Sequence, residues 1–389
     1  MCYLEYTIFT LKIRMEKFYT SLGLMSGTSM DGVDASIIRS DGESNYEPIF
    51  DKYFEYDGVI YSNLLNLRDK INSIKDLQDN SYQINELERK ITLFHAKISK
   101  EIIKNAGVDV DIVGFHGQTI FHNAQEKISK QIGDGNLLSS LLKKNVVYNF
   151  RENDIHNGGQ GAPLAPIFHN LLINQNKIEK PACVLNIGGI ANITLVISKN
   201  NEDLKSFDVG PGNCLLDEWV RRHTQMKYDE NGKASNIGKT SEVILNQAID
   251  NFDNISNQKK LSFDIKDFDL SFVKGLTYED GLSTLVDFTA IIIYQSILKS
   301  INSEENKKLL IIVCGGGRKN LSLMESIRKR LPKNIYLKII DDYKIDGDFI
   351  ESQAFAYLAI RSALKKVISF PNTTNVKKPS IGGVLVKNY

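Results

Sequence analysis

A strand, a tight turn of glycine and hydroxyl residues, and a return strand occur near the start of this chain. The pattern recurs about 160 residues later, and that repetition restricts the fold more than any other feature. In the first copy, residues 22–38 place apolar runs on either side of Ser26-Gly27-Thr28-Ser29-Met30-Asp31-Gly32. In the second, an apolar run from Val184 to Ile187 enters Gly188-Gly189-Ile190-Ala191-Asn192 and returns through residues 193–197. Ile84, Leu87, Ile91, Phe94, Ile98 and Ile102 keep one helical face apolar after the first hairpin. Short strands are predicted at 112–115 and 146–150, each delivered into a polar, glycine-bearing loop. In the second half a helix over 282–300 precedes a strand at 309–314 that runs into Gly315-Gly316-Gly317. Corresponding hairpins in two halves imply a duplicated α/β unit with a cleft between lobes; two unrelated hairpins would give the same spacing.

Composition narrows the function classes. A formal net charge of +1 over 389 residues offers no basic field for nucleic acid. No run approaches the ~18–20 apolar residues of a membrane span. Cys2, Cys183, Cys214 and Cys314 lack CxxC spacing, which argues against a disulfide framework or zinc site and fits a reducing, cytoplasmic setting. The first residues carry Glu5, Lys12, Arg14 and Glu16 among apolar ones, unlike a signal peptide. Residues 1–19 are expected to be a dispensable extension, with Met15 as an alternative start.

The turns suggest phosphate chemistry. Gly27, Thr28, Ser29 and Gly32 let backbone N–H groups approach an anion and add two hydroxyls. Asp31 and Asp34 would repel phosphate, but suit a divalent cation held directly or through water. Gly188 and Gly189 suit the opposite side of the same phosphate chain. Gly315, Gly316 and Gly317 permit close approach of a flat ligand. Asp208 leaves a strand into the rigid turn Val209-Gly210-Pro211-Gly212-Asn213, where a fixed carboxylate can act as general base. Asp217 reads as structural or capping. His116 and His122 read as structural or substrate-side hydrogen-bonding groups rather than metal ligands. Glu351 opens a helix predicted over 352–367.

Eight motifs occur in order: GLMSGTSMDGVD at 23–34, GFHGQT at 114–119, QIGDGN at 131–136, GGQGAPLAP at 158–166, NIGGIANIT at 186–194, DVGPGN at 208–213, CGGG at 314–317 and ESQAFAYLA at 351–359. Together they resemble the anhydro-N-acetylmuramic acid kinase family from Gly23 to the C-terminus. The resemblance implies a two-lobed actin/hexokinase/Hsp70-like ATPase built from duplicated ribonuclease H-like units, with a central nucleotide and substrate cleft. The implied lobes are 20–150 and 182–389, joined by a connecting loop and helix at 151–181, with a C-terminal segment returning toward the cleft. It implies ATP and Mg²⁺ as cofactors, with Gly27-Thr28-Ser29-Met30-Asp31-Gly32-Val33-Asp34, Gly188, Gly189 and Gly315 to Gly317 around the nucleotide. Asp31 would hold the metal, Asp208 matches the family's base, and Thr119, Arg151 and Glu351 match sugar-contacting positions.

The implied reaction converts 1,6-anhydro-N-acetylmuramic acid, ATP and water to N-acetylmuramic acid 6-phosphate and ADP. A homodimer is carried over with the resemblance. His156-Asn157 and Arg318-Lys319 depart from the family pattern. The latter pair is expected to touch nucleotide phosphate or to be solvated. Rival readings are an ordinary sugar kinase of the same superfamily and a non-catalytic nucleotide-binding module.

Overall fold

The computed structural model describes residues 17–258, 263–301 and 308–389. Residues 1–16 of the expected N-terminal extension, with both candidate start methionines and Cys2, fall outside them, and Tyr19 already belongs to the first strand. Twelve strands occur among the described residues. They are β1 (Tyr19–Ser26), β2 (Gly32–Ser40), β3 (Tyr46–Glu55), β4 (Ile112–Asn123), β5 (Ile128–Ile132), β6 (Asn145–Tyr148), β7 (Ala182–Ile187), β8 (Ile190–Val196), β9 (Lys205–Pro211), β10 (Leu309–Cys314), β11 (Ile335–Ile339) and β12 (Val384–Val386).

The two halves repeat one topology. The first sheet runs β3-β2-β1-β4-β6 and the second β9-β8-β7-β10-β11. In each, the first three strands form an antiparallel meander, and the central strand is parallel to the fourth, which is parallel to the fifth. This match of order and direction decides for duplication over two unrelated hairpins. The first sheet carries additions: β5 pairs with the far end of β4, and β12 pairs antiparallel with β6.

The helix Ser81–Ala106 buries Ile84, Leu87, Ile91, Ile98 and Ile102 on one face, the stripe that its 3.6-residue period requires. It ends at Gly107, whose φ of 65° lets its N–H turn back to the Ile103 and Lys104 carbonyls. The second half centres on the helix Tyr278–Ile301. Contrary to expectation, this helix is long and apolar enough by composition to cross a membrane. It is apolar because it is a core helix: Leu282, Leu285, Ile292, Ile293 and Ile297 are all buried with Trp219 in the second lobe's core.

Near its end the chain returns to the first sheet. The helix Ile350–Ala363 lies across β1, β2 and β4 of the first sheet, and β12 adds to that sheet's edge. Residues 350–386 therefore complete the first sheet. A central core cluster, including Phe168, Val184, Ile312 and Tyr357, joins the halves beneath this helix. Two glycines allow the approach. A Cβ on Gly23 would stand 1.9 Å from the Ser352 carbonyl oxygen, and one on Gly114 would stand 2.3 Å from that of Phe355. Gly23→Ala is expected to destabilise the fold by about 3 kcal/mol, the upper part of the usual overpacking range. Urea unfolding measures it, and a midpoint equal to the parent's would contradict the packing argument.

Candidate active site

Three turns meet at the carboxyl ends of the central strands. In the first, Met30 takes φ 59°, its N–H closes onto the Gly27 carbonyl at 3.2 Å, and its side chain is buried as an anchor. Gln118 Nε2 donates to the same carbonyl at 2.9 Å, and Ser29 Oγ donates to Asp31 Oδ1 at 2.5 Å. Val33 is buried, and a Cβ on Gly32 would stand 2.5 Å from the Phe54 carbonyl oxygen. The second turn touches the first: a Cβ on Gly189 would lie 2.3 Å from Thr28 Oγ1. Gly188 and Gly189 carbonyls in turn accept the N–H groups of Asn213 and Gly212 at 2.8 and 2.9 Å. The third turn packs on the end of β7, where a Cβ on Gly317 would strike Ile187 Cγ2 at 2.2 Å. Gly316 has more room, its nearest neighbour being Asn213 Nδ2 at 3.7 Å. Gly315 takes φ 80°, a left-handed conformation that disfavours a side chain.

Negative charge collects beside these turns. Burial, helped by the carboxylates of Glu351, Asp348, Asp31 and Asp346, pushes Asp34 up to about 8. Asp217 lies in the first turn of the helix Cys214–His223, and burial, reinforced by Asp31 and opposed by Arg221, pushes it up to about 7. Among the described residues no group of three or more His, Cys, Asp or Glu side chains converges into a cation cage.

Arg318 corrects the expectation for the Arg318-Lys319 pair. Its guanidinium is only 4% exposed. It bonds Asp341 Oδ2 at 2.6 Å, Asp348 Oδ1 at 2.5 Å, Asp346 Oδ1 at 3.3 Å and the Gly315 carbonyl at 3.1 Å. A buried guanidinium must be paired, and this one fastens the third glycine turn to the 341–348 loop. Lys319 pairs with Asp348 at the surface. At the other departure, His156 and Asn157 are exposed on the short helix Glu152–His156 and its end.

Across the cleft, Asp208 stands on β9 with its Oδ2 accepting the Phe263 N–H at 2.9 Å. Burial pushes it up to about 7, opposed by that N–H and by the charge of Arg151. Arg151 Nε and Nη2 donate to His116 Nε2 at 3.2 and 3.0 Å, while Nη1 donates to the Gly161 carbonyl at 2.9 Å. His116 must therefore be the neutral tautomer with a free pair on Nε2. Burial, with the Arg151 charge, pushes it down to about 3. His116 is thus the support of Arg151, a structural role of the kind its sequence context suggested. Asp154 shapes the same loop by accepting the Gly161 N–H at 2.7 Å and the Thr374 hydroxyl at 2.6 Å.

Glu351 lies in the first turn of its helix, which begins at Ile350, two residues before the predicted start. Its Oε1 accepts from Asn186 Nδ2 at 3.3 Å, and burial raises its pKa against the pull of Arg151. The next two residues fix it in place. Ser352 Oγ bonds Ser36 Oγ at 2.6 Å, and Gln353 joins Asp51 to the Tyr46 hydroxyl. Thr119 accepts from Gln131 Nε2 at 3.1 Å. It lies on a strand, because β4 continues through the expected loop by pairing with β5. Gln118, Asn186 and Phe263 complete the arrangement and were not singled out from sequence. The first two lie inside quoted motifs, whereas the backbone N–H of Phe263 has no sequence signal.

Two sheets of identical order, with glycine turns at the carboxyl ends of their central strands, define a duplicated two-lobed α/β fold of the actin-like kind. Within that class the chain belongs to the anhydro-N-acetylmuramic acid kinase family, whose model matches residues 19–388. It is 36% identical over 379 residues to a relative of that name from Agrobacterium fabrum (strain C58 / ATCC 33970), covering 96% of this chain and 100% of the relative. A Zymomonas mobilis relative of the same name is 36% identical over 93% of this chain and 98% of its own. Among solved structures, the activator of 2-hydroxyisocaproyl-CoA dehydratase from Clostridium difficile with bound ADPNP matches with a TM-score of 0.42 and 12% identity. That match covers 89% of this chain and 96% of the other. The ROK hexokinase from Thermus thermophilus matches at 0.36 and 12%, covering 88% and 99%.

Proposed function

We propose that this kinase acts on 1,6-anhydro-N-acetylmuramic acid and couples phosphorylation to hydrolysis of the anhydro bridge. A water oxygen attacks the anomeric carbon as Asp208 takes its proton. The bond from that carbon to the bridging 6-oxygen breaks. The 6-oxygen forms a bond to the γ-phosphorus of ATP, and the bond from that phosphorus to the β,γ-bridging oxygen breaks, releasing ADP. The product is N-acetylmuramic acid 6-phosphate. The observation that carries this reading is the buried Asp208 carboxyl, pushed up to about 7, with its Oδ2 held by the Phe263 N–H at 2.9 Å and in the field of the Arg151 guanidinium. Such a base holds its proton weakly enough to lose it near neutrality and strongly enough to accept one from water.

Within this reading, Gly27 to Asp34, Gly188, Gly189 and Gly315 to Gly317 surround the ATP phosphates and nucleoside. Thr119, Arg151 and Glu351 contact the sugar, with Arg151 suited to a lactyl carboxylate. Mg²⁺ fits the donor set, because the mutual repulsion centred on Asp34 calls for a cation; Asp31 would hold it, directly or through water. When bound, it supplies charge neutralisation on the phosphates. Residues 20–150 and 182–389 are read as the lobes, with 151–181 lining the cleft and the C-terminal segment of the second returning across the first sheet. The enzyme would work in the cytoplasm as a homodimer, recycling cell-wall sugar.

The reaction is tested with anhydro-sugar, ATP and ¹⁸O-water. Label is expected at the anomeric hydroxyl of the phosphorylated product. Unlabelled product would favour an ordinary sugar kinase, in which Asp208 deprotonates an alcohol. A non-catalytic module would release no ADP on addition of sugar.

A further inference from the structure

One turn of the second lobe connects the base to the opposite side of the cleft. Residues 263–267 begin with the N–H that holds Asp208 Oδ2 at 2.9 Å. The turn is internally locked. Asp264 Oδ1 accepts the Lys266 N–H at 2.9 Å, and Asp267 Oδ2 accepts the Asp264 N–H at 2.8 Å. Phe263 and Phe268 pack against Phe252 at ring separations of 5.8 and 6.2 Å. From this locked turn Lys266 reaches out of its own lobe. Its Nζ donates to the carbonyls of Arg68 and Ile71 at 2.7 and 2.6 Å, and to Asn72 Oδ1 at 2.8 Å. Those oxygens lie at the C-terminal end of the first-lobe helix Gly58–Lys70, where unpaired carbonyls and the helix dipole favour a cation. Three acceptors satisfy all three ammonium donors. A second tie between the lobes, Lys227 with Glu55, is an exposed pair of the kind that contributes little.

We propose that Lys266 is a positioning residue for the reaction: its seating on the first-lobe helix end fixes the 263–267 turn, and through the Phe263 N–H it orients Asp208 when the lobes are together. The inference rests on the reading of Asp208 as the base. In this arrangement the base is fully set only when the opposite lobe is in place, which ties proton removal to a shut cleft. Asp208 feels the guanidinium of Arg151 and the N–H of Phe263. Arg151 in turn is shared with Glu351 and Asp154. Lys266 itself is faced by Asp264, Asp69, Arg68 and Asp76.

The test is the pH profile of kcat/KM with anhydro-sugar and ATP for the parent, Lys266→Met, Lys266→Arg and Asp208→Asn. In Lys266→Met, kcat/KM is expected to fall about tenfold or more, within the range that small misplacements of reacting groups produce. Its acid limb should move to higher pH, because the N–H that holds the carboxylate form of Asp208 is loosened. Lys266→Arg, which keeps the cation and its donors, should recover the limb. A limb that stays at the parent position in Lys266→Met overturns the proposal, whatever happens to thermal stability. If Asp208→Asn retains parent activity, the base assignment itself fails, and the positioning role falls with it. If Asp208→Asn is inactive while Lys266→Met keeps the parent limb, only the positioning role fails.

Discussion

Asp208→Asn is expected to fold, to bind ATP with parent affinity, and to turn over roughly 10²–10⁴-fold more slowly, the range for loss of a general base. Asparagine keeps the shape and can still accept the Phe263 N–H, so the surrounding geometry loses little. What disappears is the proton acceptor. The carboxylate sits where burial makes its charged form expensive and Arg151 makes it cheaper, with burial the larger influence. The balance leaves it near 7. As the base works only when deprotonated, kcat/KM of the parent should fall as pH drops below about 7. Steady-state kinetics across pH 5–9, with nucleotide titration of the variant, check both statements. Turnover within a few-fold of the parent would remove Asp208 from the role.

Arg318→Met should be the most damaging change outside the reacting groups. Breaking a buried pair by removing one partner costs about 3–5 kcal/mol. The three aspartates are themselves 32–50% exposed, so water takes up part of their charge and the lower figure applies. The loss is specific as well as energetic. The 341–348 loop would no longer be fastened to Gly315, and Asp346 and Asp348 would add uncompensated charge beside Asp34. Nucleotide affinity should drop with stability. Arg318→Lys should recover only part of both, since an ammonium cannot reproduce a planar fork that spans three carboxylates. Chemical denaturation and ATP titration read the two effects. Parent-like values in Arg318→Met would show that the turn is held by other contacts.

The hairpin repeat was readable because turns at strand ends are written locally, in glycines and in hydroxyl residues. Asp208 and Glu351 stood out for the same reason: each adjoins a rigid turn or a helix start. The supports did not, because they are made at long range. Arg318 finds its aspartates 23 to 30 residues away in sequence, and Phe263 reaches Asp208 from 55 residues away. The extension of β4 through residues 117–123 depends on a partner strand, so its apolar pattern alone predicted a shorter element. Arg151 is legible only through its match to a sugar-contacting position of the family, and its orientation depends on His116, 35 residues away in sequence.

The crossing of residues 350–386 back to the first sheet has a consequence for synthesis. As the chain leaves the ribosome, all five strands of the second sheet have emerged once residue 339 is out. The first sheet, though begun earlier, still lacks its covering helix and edge strand at that moment. The lobe translated first is therefore the lobe completed last, and a nascent chain must carry the exposed faces of β1, β2 and β4 until nearly its final residues appear. Glu351 arrives with that closing helix, so the site cannot exist in any shortened translation product that stops before it.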